Sequence, residues 1–356
     1  MQGVLPAIYQ CIKYIFCVVP LVIVITAEAW YVPDTDSQET ITLNYPPDKT
    51  VMEFDLLSIS LRVPPGSADV IKVDVNAEEK KTIIPDSEFE CFSVRLEVGI
   101  NRISLTAIKK DKQVEKFILS VFHRSELESK FGEPPAGFKK DYFHAKEHML
   151  CSRCHVLEPG KSDRKAVDIA SFPAETLSAS KETIAATSTC YSCHKSIASY
   201  PFVHGPVYVW SCLSCHDPGS EPRYSVKKPD TKICFSCHIK QKDDWYAKKY
   251  FHGPFTAGKC AICHSPHAAE YPFNLIKSTW ELCTSCHPDK GNGEHIVSGF
   301  LNIPSHPTRG RQDPLRKGKE LTCASCHDPH ASDSPKLWRL KVETGIALCK
   351  ECHIPK

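Results

Sequence analysis

Residues 323–330 read CASCHDPH, two cysteines and two histidines in eight positions. The first five form Cys-x-x-Cys-His, and a second histidine, His330, follows His327 three positions on. The five-residue unit recurs at Cys151/Cys154/His155, Cys190/Cys193/His194, Cys212/Cys215/His216, Cys234/Cys237/His238, Cys260/Cys263/His264, Cys283/Cys286/His287, Cys323/Cys326/His327 and Cys349/Cys352/His353. These eight units take up sixteen of the 19 cysteines. A bare C-x-x-C serves a zinc ribbon or a redox dithiol equally well. C-x-x-C-H is the attachment signature of c-type haem: two thiols form thioethers to the porphyrin and the adjoining imidazole ligates the iron. Zinc has no need of a histidine directly after the second cysteine at all eight places. Eight covalently attached c haems are the expected cofactors.

Haem iron has two axial positions, and the motif histidines fill one each. Nine histidines remain. All but His123 fall in the motif-bearing region, and those eight equal the eight vacancies: His144, His148, His204, His252, His267, His295, His306 and His330. His123 reads as a domain-boundary residue. His204 and His252 sit in His-Gly-Pro, while His267 and His330 close His-x-Pro-His. His327 and His330 cannot serve one iron, because axial ligands approach from opposite faces and three residues are too few to wrap the ring. His330 is therefore expected to reach a neighbouring haem, as is His267 beside His264. Methionine, the ligand that raises haem potential, occurs three times in the chain, and only Met149 lies near a motif. Bis-histidine, low-spin, low-potential iron is the expectation throughout.

From Cys151 to Lys356, 206 residues carry eight motifs, roughly 26 residues for each. So little chain cannot enclose each porphyrin in a conventional core. The haems must be the core, wrapped by short helices and loops. Residues 126–356 hold 31 Lys+Arg against 25 Asp+Glu. Two propionates per haem reverse that positive balance, so the lysines read as propionate partners, and no nucleic-acid partner is expected. A Ser/Thr/Ala-rich insert, Leu157 to Thr189, reads as an exposed loop.

The N-terminal part is different. Tyr14 to Ala29, YIFCVVPLVIVITAEA, is apolar, follows Lys13 and ends in the small-x-small pattern Ala27-Glu28-Ala29. It falls short of the ~20 residues of a membrane-spanning helix. A signal peptide over residues 1–29, cleaved before Trp30, is expected; an uncleaved anchor is the alternative and the only membrane contact foreseen. Cleavage removes Cys11 and Cys17, leaving Cys91 outside the motifs, read as a buried inert thiol with an intermolecular disulfide as the alternative. Residues 30–125 carry strand patterns: Leu57, Ile59, Leu61, Val63; Val94, Leu96, Val98; Ile103, Leu105, Ala107; and KFILSVF from Lys116 to Phe122. Period-two alternation broken by turn residues predicts an antiparallel all-β sandwich. Leu96, Gly99, Asn101 and Ile103 resemble a motif of Ig-like sandwich modules in exported bacterial proteins. The expected architecture is multidomain: an Ig-like sandwich over 30–125, a linker over 126–140, and a loop and short-helix octahaem region over 141–356.

The motifs fall into four pairs, and HGPFTAGKCAICHSPH…CTSCH parallels GKELTCASCHDPH…CKECH. In this respect the chain resembles the doubled-CxxCH multihaem cytochromes, some of which form extracellular filaments. The resemblance implies electron transfer in the periplasm or outside the cell, with other redox proteins or extracellular acceptors as partners, or the chain itself as a homopolymer. It leaves open a filament, a soluble shuttle and an outer-membrane conduit. Iron with both axial positions filled has no place for substrate, so no enzyme activity is expected. The alternative is an octahaem reductase of nitrogen or sulfur compounds with one open iron. No C-x-x-C-K variant marks such a site here.

Overall fold

Alternating apolar residues build two sheets at the N-terminal end of the chain. The computed structural model describes residues 40–145, 151–153, 155–160, 163, 188–292, 295, 305–342 and 344–353. The signal-peptide and cleavage reading, Cys11, Cys17, His148, Met149, Cys154 and most of the 157–189 insert lie outside these residues. One sheet orders β1 (Thr42–Tyr45), β3 (Leu56–Arg62) and β6 (Phe89–Arg95) as β1-β3-β6. The other runs β5-β4-β7-β8-β2-β9, with β2 at Thr50–Met52, β4 at Val70–Val75, β5 at Glu78–Ile83, β7 at Gly99–Lys109, β8 at Lys112–His123 and β9 at Lys139–Lys140.

The two sheets share one core. Leu57, Ile59 and Leu61 from the first sheet join Ile71, Val73, Ile103, Leu105 and Val121 from the second, each at most 1% exposed. Burying each such side chain stabilises the fold by about 1.5–3 kcal/mol. The antiparallel expectation holds for β1–β3, β3–β6, β4–β5, β4–β7 and β7–β8. It fails at β2, which runs parallel to both β8 and β9. β9 comes from the segment read as a linker, whose Phe131 and Phe138 rings pack on Phe122. The Leu96–Ile103 motif has a physical basis. Asn101 is buried, donates to the carbonyls of Glu97 and Gly99 at 2.7 and 3.1 Å, and accepts from Glu97 N–H at 2.9 Å. Gly99 sits at φ +101°, and a Cβ there would come within 2.8 Å of the Phe131 ring. Cys91 corrects the sequence reading: its thiol is exposed on β6, bonded to Ser60 Oγ at 3.6 Å.

Beyond residue 141 the chain changes character. Among the described residues, α-helices run from four to nine residues and 3-10 turns from three to four, strands are two residues long, and the buried apolar cluster is Val209 with Trp210. A continuous cavity of about 4280 Å³ takes the place of a side-chain core. That is several times the 300–1,000 Å³ of an ordinary ligand pocket. The described residues from Thr40 onward, sheets and motif-bearing region together, group into one compact unit. Among the described residues no helix is long and apolar enough to cross a membrane.

Candidate haem sites

Each motif winds into a single helical turn. The histidine N–H bonds back to the first cysteine's carbonyl at 2.9–3.1 Å in seven motifs, from His155→Cys151 to His327→Cys323, and His353 closes the helix Gly345–His353. That i→i+4 bond sets both cysteines and the histidine on one face. The cavity is lined along its length by motif cysteines and histidines, from Cys151 to His327.

Seven motif histidines each face one non-motif histidine, with ring centroids 6.0–6.2 Å apart: His194 with His144, His216 with His267, His238 with His204, His264 with His330, His287 with His252, His327 with His295 and His353 with His306. The pairing obeys a rule. A histidine upstream of a motif pair lies against the second motif of that same pair. A histidine in His-x-Pro-His lies against the first motif of the pair before it. His295, from the long gap before the fourth pair, faces His327. His155 is the remaining motif histidine, and Cys154 of its motif and His148 lie outside the described residues. His123, half-buried at the end of β8, takes part in none of these pairs.

These gaps fit haem iron. Two metal–imidazole bonds of about 2 Å each, plus the ring radii, give about 6 Å between centroids. No group of three or more His, Cys, Asp or Glu among the described residues could hold a metal by itself. Each pair therefore offers two donors, and an octahedral iron needs a macrocycle for the other four, which neighbouring cysteines would tether.

The protonation chemistry agrees. The Nδ1 atoms of His216, His264 and His327 lie 2.8 Å from the carbonyls of Tyr224, Phe273 and Lys336, and those of His204 and His306 lie 3.0 and 2.9 Å from the carbonyls of Pro266 and Pro307. A carbonyl can only accept, so Nδ1 donates and Nε2 keeps its lone pair for a metal. Burial holds His194, His204, His252, His264 and His295 below the ordinary histidine range. His267 is pushed down to about 3 by burial and then by the imidazoles of His216, His194 and His204. Neutral imidazole is the form that binds metal.

Sequence reading missed how the first-motif histidines are fixed. Tyr224 and Phe273, whose carbonyls hold His216 and His264, have φ of +61° and +60°, and Leu337, next to Lys336, has +55°. No glycine signals these left-handed positions, a costly conformation for bulky side chains. It also missed two clips. β10 (Phe202–Val203) pairs with β12 (Ala268–Ala269), and β11 (Tyr250–Phe251) with β13 (Ala331–Ser332). In each clip a His-Gly-Pro histidine bonds to the backbone of the next pair's His-x-Pro-His, His204 N–H to His267 at 2.8 Å and His252 N–H to His330 at 2.9 Å.

The motifs also follow one another in space. The thiols of Cys190 and Cys212, of Cys234 and Cys260, and of Cys283 and Cys323 lie close enough to influence one another's ionisation. Cys151 lies within electrostatic reach of Cys193, Cys215 of Cys234, Cys263 of Cys286 and Cys326 of Cys352. Consecutive motifs are therefore neighbours from first to last.

Residues 204–243, 252–292 and 313–356 match the doubled CXXCH motif family. Two of these segments open on His204 and His252, the histidines that face each segment's own second motif. This match, together with two multihaem relatives, supports a multihaem c-type cytochrome with covalently attached haem. The chain is similar to the multiheme cytochrome MtrA of Shewanella baltica (strain OS185), 29% identical over 193 residues, 47% of this chain and 53% of that protein. It is also similar to the high-molecular-weight cytochrome c of Nitratidesulfovibrio vulgaris, 25% identical over 210 residues, 53% of this chain and 33% of that one. The chain thus spans about half the length of the first and a third of the second. The fibronectin(III)-like modules of Clostridium thermocellum CbhA match 24% of this chain and 95% of their own at 15% identity, with a TM-score of 0.21. A score that low carries no argument, and the two-sheet description rests on strand pairing alone.

Proposed function

We propose that this chain is an exported octahaem conductor in which every iron is held by two histidines and the haems follow one another in sequence order. The observation that carries this is the set of seven imidazole pairs, each spaced for one iron. His148 falls to the first motif by elimination, as the partner of His155. Where each histidine pair would hold one haem iron, the protein's part is to fix each imidazole, keep its Nε2 free through the Nδ1–carbonyl bonds, and exclude water. Haem supplies the one-electron chemistry.

Export follows from the apolar N-terminal segment and from haem attachment, which belongs outside the cytoplasm. Other redox proteins or extracellular acceptors are the partners. The seven pairs form within one chain, so a homopolymer of this protein needs no ligand donated across a subunit interface at those sites. The N-terminal sandwich is read as Ig-like. Intact-mass spectrometry with a spin-state measurement on the oxidised protein tests the proposal. Eight haems, all low-spin, are expected. Fewer haems, or a stoichiometric high-spin iron, overturns it, and the latter favours the open-iron reductase.

A further inference from the structure

The two clips are built alike except in what covers them. In the β11/β13 clip, the helix Ile239–Tyr246 places Trp245 flat against His330, centroids 4.1 Å apart and planes 26° apart. Just beyond it, Lys248 pairs with Asp333 across the clip at 2.9 Å. The chain covers its own distal histidine and closes its own clip.

The β10/β12 clip lacks these parts. Ten residues separate His194 from His204, against fourteen between His238 and His252. In place of an eight-residue helix there is a single 3-10 turn, Lys195–Ala198. Two residues before each first strand, Tyr200 stands where the other clip has Lys248. Three residues after each distal histidine, Glu270 stands where the other has Asp333.

The missing parts arrive from the N-terminal sheets. Phe54, between β2 and β3, packs against His267 with centroids 4.7 Å apart and planes tilted by 59°. Arg95, at the end of β6, ion-pairs with Glu270 at 2.5 Å and lays its guanidinium over the Tyr200 ring at 4.1 Å. Asp55 accepts the Tyr200 hydroxyl. An aromatic ring on the distal imidazole and a cation on the clip carboxylate recur at both sites, supplied by different domains.

We propose that the sheet domain is part of the haem site at Cys212/Cys215, with Phe54 and Arg95 as positioning residues that replace a shortened helix. This rests on the reading of His216 and His267 as the two ligands of that iron. A ring packed on an imidazole fixes its rotation and keeps water from the iron, and burial is one of the protein's levers on haem potential.

The test uses the haem-loaded full chain and compares His267→Ala, Phe54→Ala, Phe54→Trp and Trp245→Ala by redox titration, low-spin spectroscopy and haem counting. His267→Ala makes one iron high-spin and shifts one wave of the titration. Phe54→Ala moves that same wave to lower potential, because water favours the more charged ferric state, with haem content unchanged. Phe54→Trp restores it, and Trp245→Ala moves a different wave. If His267→Ala yields a high-spin iron but Phe54→Ala changes no wave, or shifts all of them together with loss of haem, the sheet domain is not part of this site. If His267→Ala leaves every iron low-spin, the ligand pair itself is wrong and the inference falls with it.

Discussion

His264 and His330 lie 66 residues apart in sequence, yet their rings stack 6.0 Å apart with planes 13° apart. His330 belongs by sequence to the motif of Cys323 and Cys326, whose own histidine, His327, faces His295 instead. One short segment, His327 to His330, thus touches two sites, and removing either histidine should be felt at a single, identifiable iron.

His330→Ala should leave all cysteines loaded while one iron becomes high-spin, namely that attached to Cys260 and Cys263. The iron at Cys323 and Cys326 keeps both ligands. Mass spectrometry and the oxidised absorption spectrum check this. An unchanged spin state counts against the pairing. His123→Ala is the control and should leave the spectrum as it was.

The ring planes predict two spectroscopic classes. They are nearly parallel for His204/His238, His216/His267 and His264/His330, at 12–13°. They are nearly perpendicular for His295/His327 and His306/His353, at 81° and 85°. Parallel imidazoles lift the degeneracy of the iron d orbitals and give rhombic low-spin signals; crossed imidazoles leave them close in energy and give strongly anisotropic ones. Electron paramagnetic resonance should therefore show both, with two irons of the anisotropic class from the last two motifs. His306→Ala should remove one of that class alone.

Much of this was readable beforehand because the chemistry repeats. Eight intact C-x-x-C-H units mark their cysteines and adjoining histidines by spacing alone, and the strand faces of Leu57–Val63 and Ile103–Ala107 follow from period two. Which motif histidine His204, His252, His267 and His330 each face was not readable, because it depends on the two-residue clips, too short to leave a pattern. The carbonyl hooks were hidden for a related reason: Tyr224, Phe273 and Leu337 adopt a backbone shape that residues of their type rarely take. The parallel placement of β2 and β9 escaped because three- and two-residue strands carry no periodicity.

Asn101→Ala should destabilise the sheet domain by about 1–3 kcal/mol, since it removes the side-chain partner of the part-buried Glu97 N–H and C=O and of the buried Gly99 carbonyl. Thermal unfolding followed by far-ultraviolet circular dichroism should show the β signal lost at lower temperature. A midpoint unchanged within error would mean that Asn101 is not what holds the Glu97–Gly99 turn.

The most direct test of the account is a crystal structure of the haem-loaded protein with iron located by anomalous scattering. It should show eight irons in sequence order, seven of them midway between the Nε2 atoms of the histidine pairs described above, and the eighth between His155 and His148. An iron bound by its motif histidine alone, or His267 or His330 turned away from the irons of the preceding motif pair, would contradict it.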